Sequence, residues 1–467
     1  MGKGPRIKNP MTKDQQLRVE SEIRNIQNPE HAIPPTLPRA IGYLGSTSIV
    51  VGTIIGSGIF LIPHNVAMHV GGLGSLFAVW VVGGLLSLAG ALSLAELGAA
   101  LPEAGGVYVY LREAYGKSFA FLYGWGMLVV IHSGSVATLA VAFGIYSGTF
   151  LPLTPLESKL AASAVVAVLT AVNVLGVRPG SAVQTLFTFA KLAGLAIIVA
   201  SAVLARGVQP LAASMALPTP CTTVSSFGVA LIGVLWAYEG WHMLSFTAGE
   251  VRNPARVLPR SFFLGTLLVV LAYLSANLAY LRVLPLPALA QHERVAATAM
   301  EILVGPRGTL FVSALILCSI FGALNGTILT GPRAYFAMAR DGVFFSSVGR
   351  VHPRFKTPAL AVLVQGVLSI VLAVSGTYEQ LFTYVIFSAW IFYGAAVVAV
   401  LVLRRQRPNL ERPYRICGSP IVPIVFALAA LGIVVNTLLT KPRESGVGLG
   451  IILLGLPIYF AWRRKEH

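Results

Sequence analysis

Two short stretches of the chain combine residue types that could do chemistry. The first, Gly52-Thr53-Ile54-Ile55-Gly56-Ser57-Gly58-Ile59-Phe60, sets three glycines among β-branched residues inside an apolar run. Each glycine costs a helix interior about 1 kcal/mol against alanine, so the helix is expected to break there. A helix restarting after Gly56 would expose backbone N–H groups at its start, where the helix dipole favours an anion such as a carboxylate. The second stretch, Trp236-Ala237-Tyr238-Glu239-Gly240-Trp241-His242, places charged and polar groups and a glycine at a similar depth in another apolar run. Carbonyls left unpartnered by a break there could accept from an ammonium group. Together the two breaks would form a receptor for a zwitterion. The competing reading is that glycines in membrane helices allow close packing; a second break at a matched depth weighs against it.

Isolated ionisable residues add to this pattern. Lys191, in Phe189-Ala190-Lys191-Leu192, lies near the middle of an apolar run. A cation at that depth is costly unless it is paired or functional, snorkelling to the interface being the alternative. Glu239 has three open roles: binding a cationic substrate, carrying a proton, or holding unwound backbone by hydrogen bonds. His132 and His242 make a weaker case, because lone histidines in helices more often serve packing. Glu96 reads as a pairing or capping residue near the end of its span.

These residues require long apolar helices to hold them, and the composition supplies them. The chain has 467 residues, 56% hydrophobic and 11% charged, against about 25% charged in a soluble domain. That excludes an ordinary soluble enzyme. The apolar runs predict twelve membrane helices, each near the roughly 20 residues that cross a bilayer, and backbone in hydrocarbon must be helical. The sixth run covers 224–250 and the eighth 296–332, the latter long enough to leave the membrane or kink. The breaks lie in the first and sixth runs. Five spans is an odd number, so two five-helix halves with equivalent breaks would run in opposite directions, as in secondary transporters with inverted repeats. The expected units are a tail at 1–40, a first repeat at 41–206, a second at 224–403, and two further helices with a short tail at 404–467.

The net charge of +17 carries topological information. Most of the 34 Lys and Arg residues fall on alternate connections, which places both termini in the cytoplasm of a plasma-membrane protein and leaves no case for nucleic acid binding. No secretory signal is seen before residue 40. Cys221, Cys318 and Cys417 are too few for a disulfide framework and have no metal-site spacing. Cys221 is expected outside and Cys417 inside, so they cannot pair. HExxH, GxSxG and paired membrane aspartates are absent from the sequence, which argues against an intramembrane enzyme, and no cofactor is expected.

The run from Gly52 to Phe60 resembles the first-helix signature of the amino acid, polyamine and organocation superfamily. It resembles especially the L-type amino acid transporter family, bacterial homologues of the light subunits of heteromeric transporters included. Val183-Gln184 through Lys191-Leu192, Trp236-Ala237-Tyr238 with Gly240-Trp241, and Phe321-Gly322 with Asn325-Gly326 look like further landmarks. Arg340-Asp341-Gly342, Arg407-Pro408-Asn409-Leu410-Glu411-Arg412-Pro413 and Gly455-Leu456-Pro457-Ile458-Tyr459-Phe460 extend the likeness to the C-terminus.

The resemblance implies an all-α LeuT-like fold and a sodium-independent, alternating-access amino acid exchanger. The amides of Ser57, Gly58 and Ile59, beside Gly56, would take the substrate carboxylate. Carbonyls near Ile55 and Trp236, with Ala237, would take the amine, and Trp236 would gate the site. Lys191 would stand in for a sodium ion, linking the first helix to Ser319 in the eighth. Ser135 and Trp390 would line the pocket. Glu239 departs from the small residue common at its position and resembles the subset that handles cationic amino acids and cystine. Ala323, Ala389 and Met243 also depart from some relatives, leaving selectivity open. Phe150-Leu151-Pro152-Leu153-Thr154-Pro155 lacks the cysteine that joins animal light subunits to a heavy chain, so no disulfide-linked heavy subunit is expected. The expected partners are amino acid substrates and the lipid bilayer. The alternative is a proton-coupled polyamine, amine or amino acid permease.

Overall fold

Helix follows apolar run along the chain, and where the runs contain glycine or proline the helices stop. The computed structural model describes residues 37–205, 222–375 and 378–463. Most of the tail expected at 1–40, the end of the fifth run and Cys221 lie outside them. The first run is two helices, α1 (Tyr43–Ile54) and α2 (Gly58–His69), bent by 41° across the residues between them. Ile55 leaves the helix with extended backbone, and Ser57 starts the next without capping its amides by a side chain.

Then come α3 (Leu73–Ala100), α4 (Val107–Tyr115), α5 (Lys117–Gly126), a π-helical turn at Met127–Ile131, α6 (His132–Ser147), α7 (Pro155–Val174) and α8 (Val177–Leu204). A π turn adds a residue to the helix and re-aims the side chains after it, here His132 and Ser135. Thr154 and Glu157 form a reciprocal capping box at the start of α7, which satisfies two of its orphan amides.

The sixth run is shorter as a helix than the sequence suggests. α9 (Val224–Ala237) ends before a turn at 238–242, and the chain continues as 3₁₀ helix at Met243–Glu250. After α10 (Pro254–Val283) come α11 (Leu286–Gln291), α12 (Val295–Val304), α13 (Pro306–Thr330) and α14 (Pro332–Arg340). The run expected at 296–332 is therefore divided. Gly305, with φ of 74°, ends α12 in a conformation that glycine adopts without strain, and Pro306 starts α13. A short 3₁₀ turn precedes α15 (Ala359–Ser375), α16 (Tyr378–Gln406), α17 (Ile421–Thr440), α18 (Pro442–Leu453) and α19 (Gly455–Arg463).

Among the described residues there is no β-strand, and nine helical stretches are long and apolar enough to cross a membrane, ten with the bent pair. Large side chains such as Leu156, Leu204 and Leu439 stand exposed on their outer faces. Apolar surface on that scale suits lipid rather than water. The protein is a multi-pass helical membrane protein.

Two backbone bonds orient the interrupted segments. The Ile41 amide donates to the Glu250 carbonyl at 2.9 Å and the Arg252 amide to the Ile41 carbonyl at 2.9 Å. The chain enters α1 where the 3₁₀ segment ends, so the two broken segments run in opposite directions. The same end of the bundle gathers ion pairs: Arg333 with Glu250, Arg112 with Asp341, and Arg404 with Glu96.

Candidate binding site at two helix breaks

The break between α1 and α2 faces the turn after α9 across a cavity of about 40 Å³. A single buried water fills about 10–15 Å³, so the space holds more than one water. Gly56, Ser57 and Gly58 line one side, and Trp236, Ala237, Glu239 and Gly240 the other. Ser135 of α6 lines it too, with Thr53, Leu139, Met243, Ala323 and Thr327. Ser135 donates to the Ile131 carbonyl at 2.7 Å, which leaves its oxygen lone pairs available. Of the site residues expected from sequence, Ile55, Ile59 and Trp390 stand outside the lining. Trp390 is buried against Phe426, ring centroids 5.8 Å apart and nearly parallel.

Glycine makes the approach of the two breaks possible. A Cβ on Gly58 would lie 2.7 Å from Ala237 Cα, and one on Gly240 would lie 2.8 Å from the Thr53 carbonyl carbon. Gly240 also has φ of 111°, where any side chain is strained. The Tyr273 hydroxyl of α10 bridges the segments, 3.1 Å from the Ile54 carbonyl oxygen and 2.9 Å from that of Ala237. The Thr53 hydroxyl lies 3.1 Å from the Gly240 carbonyl oxygen. Gly58→Ala is expected to push the breaks apart and cut ligand affinity at least ~10-fold, a change equivalent to about 1.4 kcal/mol, while the protein still elutes as a folded species. Ligand-induced thermal shift of the purified variant measures it; a wild-type shift would contradict the close contact.

Lys191 and Ser319 hold the first break from behind. The fully buried Lys191 ammonium donates to the carbonyls of Gly52 at 2.9 Å, Ile55 at 2.5 Å and Ser319 at 3.0 Å. Three donors meet three acceptors, so the charge sits in a closed polar shell. The Ser319 hydroxyl lies 3.0 Å from the Ile55 carbonyl oxygen and 2.9 Å from that of Gly56. The Ile55 carbonyl, an expected acceptor for a ligand amine, is thus already taken by Lys191 and Ser319. Behind them, Asn325 of α13 donates to Gln184 of α8 at 3.0 Å, tying the two supporting helices together.

Glu239 is the only charged residue lining the cavity among those described. Tyr393 of α16 donates to its carboxylate at 2.6 Å, and His242 Nδ1 stands 3.6 Å from the same oxygen. Sequence reasoning missed Tyr393, Tyr273 and Thr327 as members of this constellation, and named Thr53 and Gly240 only within the motifs of the two breaks. For the two tyrosines a signal existed: each is a hydroxyl in the middle of an apolar helix, where it needs a partner.

The matched family model, amino acid permease, spans residues 41–461. The chain is 33% identical over 433 residues to the serine/threonine exchanger SteT of Bacillus subtilis, covering 92% of this chain and 98% of that protein. It is 33% identical over 454 residues to the b(0,+)-type amino acid transporter 1 of Homo sapiens, covering 96% and 92%. The cystine/glutamate transporter of Homo sapiens is 31% identical over 440 residues, covering 92% and 87%. These relatives are membrane transporters, not enzymes. A match over nearly the whole chain makes this protein a member of the amino acid permease family.

Proposed function

We propose that the protein is a sodium-independent amino acid transporter working as an alternating-access exchanger. One observation carries the reading: two antiparallel interrupted helices meet at a single cavity with bare amides on one side and turn carbonyls on the other. The amides of Ser57, Gly58 and Ile59 take the substrate carboxylate. The Ile55 carbonyl already receives two donors, Lys191 and Ser319, whereas that of Ala237 receives one, Tyr273, so the amine goes to the second break near Trp236 and Ala237. Trp236 covers the ligand, and Glu239 admits a cationic side chain. Lys191 occupies with a fixed ammonium the place where a sodium ion would bind, hence sodium independence.

The architecture that goes with this function is LeuT-like: repeats at 41–206 and 224–403, two more crossings after 404, and twelve crossings in all. The opposite directions of the broken segments support it. The basic residues on one set of connections support cytoplasmic termini in the plasma membrane. Residues 150–155 hold no cysteine, which supports action without a disulfide-linked heavy chain. The names of the relatives, exchangers and transporters of amino acids, point the same way.

Counterflow into proteoliposomes with each of the twenty amino acids tests the reading. Exchange is expected with potassium in place of sodium; no exchange by folded protein would overturn the proposal, and a sodium requirement would overturn the role of Lys191. Glu239→Gln is expected to lower arginine exchange ~10-fold or more and alanine exchange far less, since a charge pair lost at a largely buried carboxylate is worth at least the tenfold step of about 1.4 kcal/mol. Equal losses would assign Glu239 a structural role. The lone carboxylate also favours a second reading, a proton-coupled amine permease. Competition by putrescine but by no amino acid would favour that one.

A further inference from the structure

The exchanger reading leaves a group of buried polar side chains unused. They begin at Tyr393, beside Glu239, and lead away from the cavity. The Tyr393 hydroxyl, 2.6 Å from the Glu239 carboxylate, is also 3.2 Å from His242 Nε2. The His242 ring is followed by that of His132 on α6, centroids 6.1 Å apart. Both histidines are fully buried. Neither ring nitrogen of His132 has a hydrogen-bond partner, nor has His242 Nδ1, which stands 3.6 Å from the Glu239 carboxylate. A side chain at Gly331 would collide with both His132 Nδ1 and Gln365 Oε1, so the glycine leaves these two polar tips facing one space. Phe246 packs on both imidazoles, and its carbonyl accepts from the Gly105 amide at the ion-paired end of the bundle. Buried imidazoles are rarely left without partners. Here they form a buried polar cluster that runs from the cavity edge to the space beside Gly331 and Gln365.

The charge on Glu239 supplies the reason for such a cluster. A carboxylate enclosed in protein costs several kcal/mol unless a cation pairs with it. A bound arginine or lysine side chain would provide that cation, whereas a neutral amino acid would not. Lys191 cannot, because its three protons go to backbone carbonyls. No other lining residue is charged among those described. The remaining titratable groups that face the cluster are Tyr123 of α5, Tyr335 of α14, His132, His242 and Tyr393.

We infer that Glu239 is a proton-binding site served by Tyr393, His242 and His132, taking one proton with each neutral substrate and releasing it when a cationic substrate binds. This rests on the exchanger reading above. His242 passes its Nε2 proton to the Tyr393 oxygen as the hydroxyl proton moves to the carboxylate, and a proton drawn from solvent by way of His132 arrives at His242 Nδ1, so the imidazole stays neutral. The reverse sequence returns it. The loaded site then carries the same charge with either substrate. Arginine entering, alanine leaving and one proton leaving sum to zero transferred charge.

Proteoliposomes filled with alanine and a pH-sensitive dye test this, with labelled arginine added outside. The lumen should turn alkaline by one proton per arginine taken up, an imposed membrane potential should not change the rate, and alanine/alanine exchange should give no pH signal. Arginine/alanine exchange with no pH change, accelerated by a negative interior, overturns the inference and leaves amino acid exchange standing. Exclusion of arginine and lysine, with neutral exchange intact, also overturns it. Absence of exchange for every amino acid overturns both readings. His132→Gln, at a residue outside the cavity, should slow arginine/alanine exchange ~10-fold and spare alanine/alanine exchange. A variant that runs both at wild-type rates removes His132 from the path.

Discussion

Lys191→Met is expected to reduce amino acid exchange to a tenth of wild type or less, with a lower melting temperature. The substitution keeps an unbranched apolar stem, one atom shorter, but removes the donor to three buried carbonyls, those of Gly52, Ile55 and Ser319. A buried acceptor left unsatisfied costs about 1–3 kcal/mol; the Ile55 carbonyl would keep the Ser319 hydroxyl but lose the ammonium, and all three carbonyls lie where α1 ends and α13 supports it. The break would then lose the contact that fixes its carbonyls away from the cavity. Lys191→Arg should not rescue it. Gly322 packs so closely that a Cβ there would sit 3.0 Å from Lys191 Nζ, and a planar guanidinium cannot point at three carbonyls arranged around a single ammonium. Counterflow in proteoliposomes, with the melting temperature of the same preparations, reads both effects. Wild-type exchange by Lys191→Met would show that the break holds itself.

The largest effect on stability is expected at Glu250 and Arg333. Their side chains are completely buried, with Arg333 Nε 2.7 Å from Glu250 Oε1 and Nη2 3.0 Å from Oε2. Arg333 also donates to the Leu329 carbonyl. This bidentate pair fastens the end of the 3₁₀ segment to α14, and so carries the second broken segment. Removing one partner of a buried pair costs about 3–5 kcal/mol, because the other charge is left in a low dielectric. Glu250→Ala should therefore yield little protein that survives heating near the wild-type melting temperature. Replacing both, Glu250→Leu with Arg333→Met, should recover most of the loss. Fluorescence-detected size exclusion after a temperature ramp separates the three proteins; a single variant as stable as wild type would refute the argument.

Some of this organisation was legible because it depends on local properties. Three glycines between Gly52 and Gly58 weaken one helix whatever surrounds it, and the structure ends α1 at Ile54. Tyr238-Glu239-Gly240 does the same in the sixth run, where α9 stops at Ala237. Lys191 stood out as a cation in an apolar stretch. The division of the run at 296–332 was less legible, since Gly305 and Pro306 can be read as a tolerated kink as easily as a stop. The placement of Trp390 against Phe426 could not be read at all, because an aromatic residue on an apolar helix has the same pattern facing a ligand or a neighbouring helix.

Taken alone, the amino-acid order determined the membrane class, the family, the sites of both helix breaks and the unusual depth of Lys191 and Glu239. Those follow from hydropathy, glycine content and the cost of charge in hydrocarbon, which act over a few turns of chain. Tertiary structure alone decided which groups share a partner. It gave the Ile55 carbonyl to Lys191 and Ser319, set Tyr273 between the two breaks, and brought Tyr393, His242 and His132 behind Glu239. Hydrogen bonds between helices far apart in the chain depend on packing angle and helix rotation, and a shift of one residue along a helix turns each side chain by about 100°.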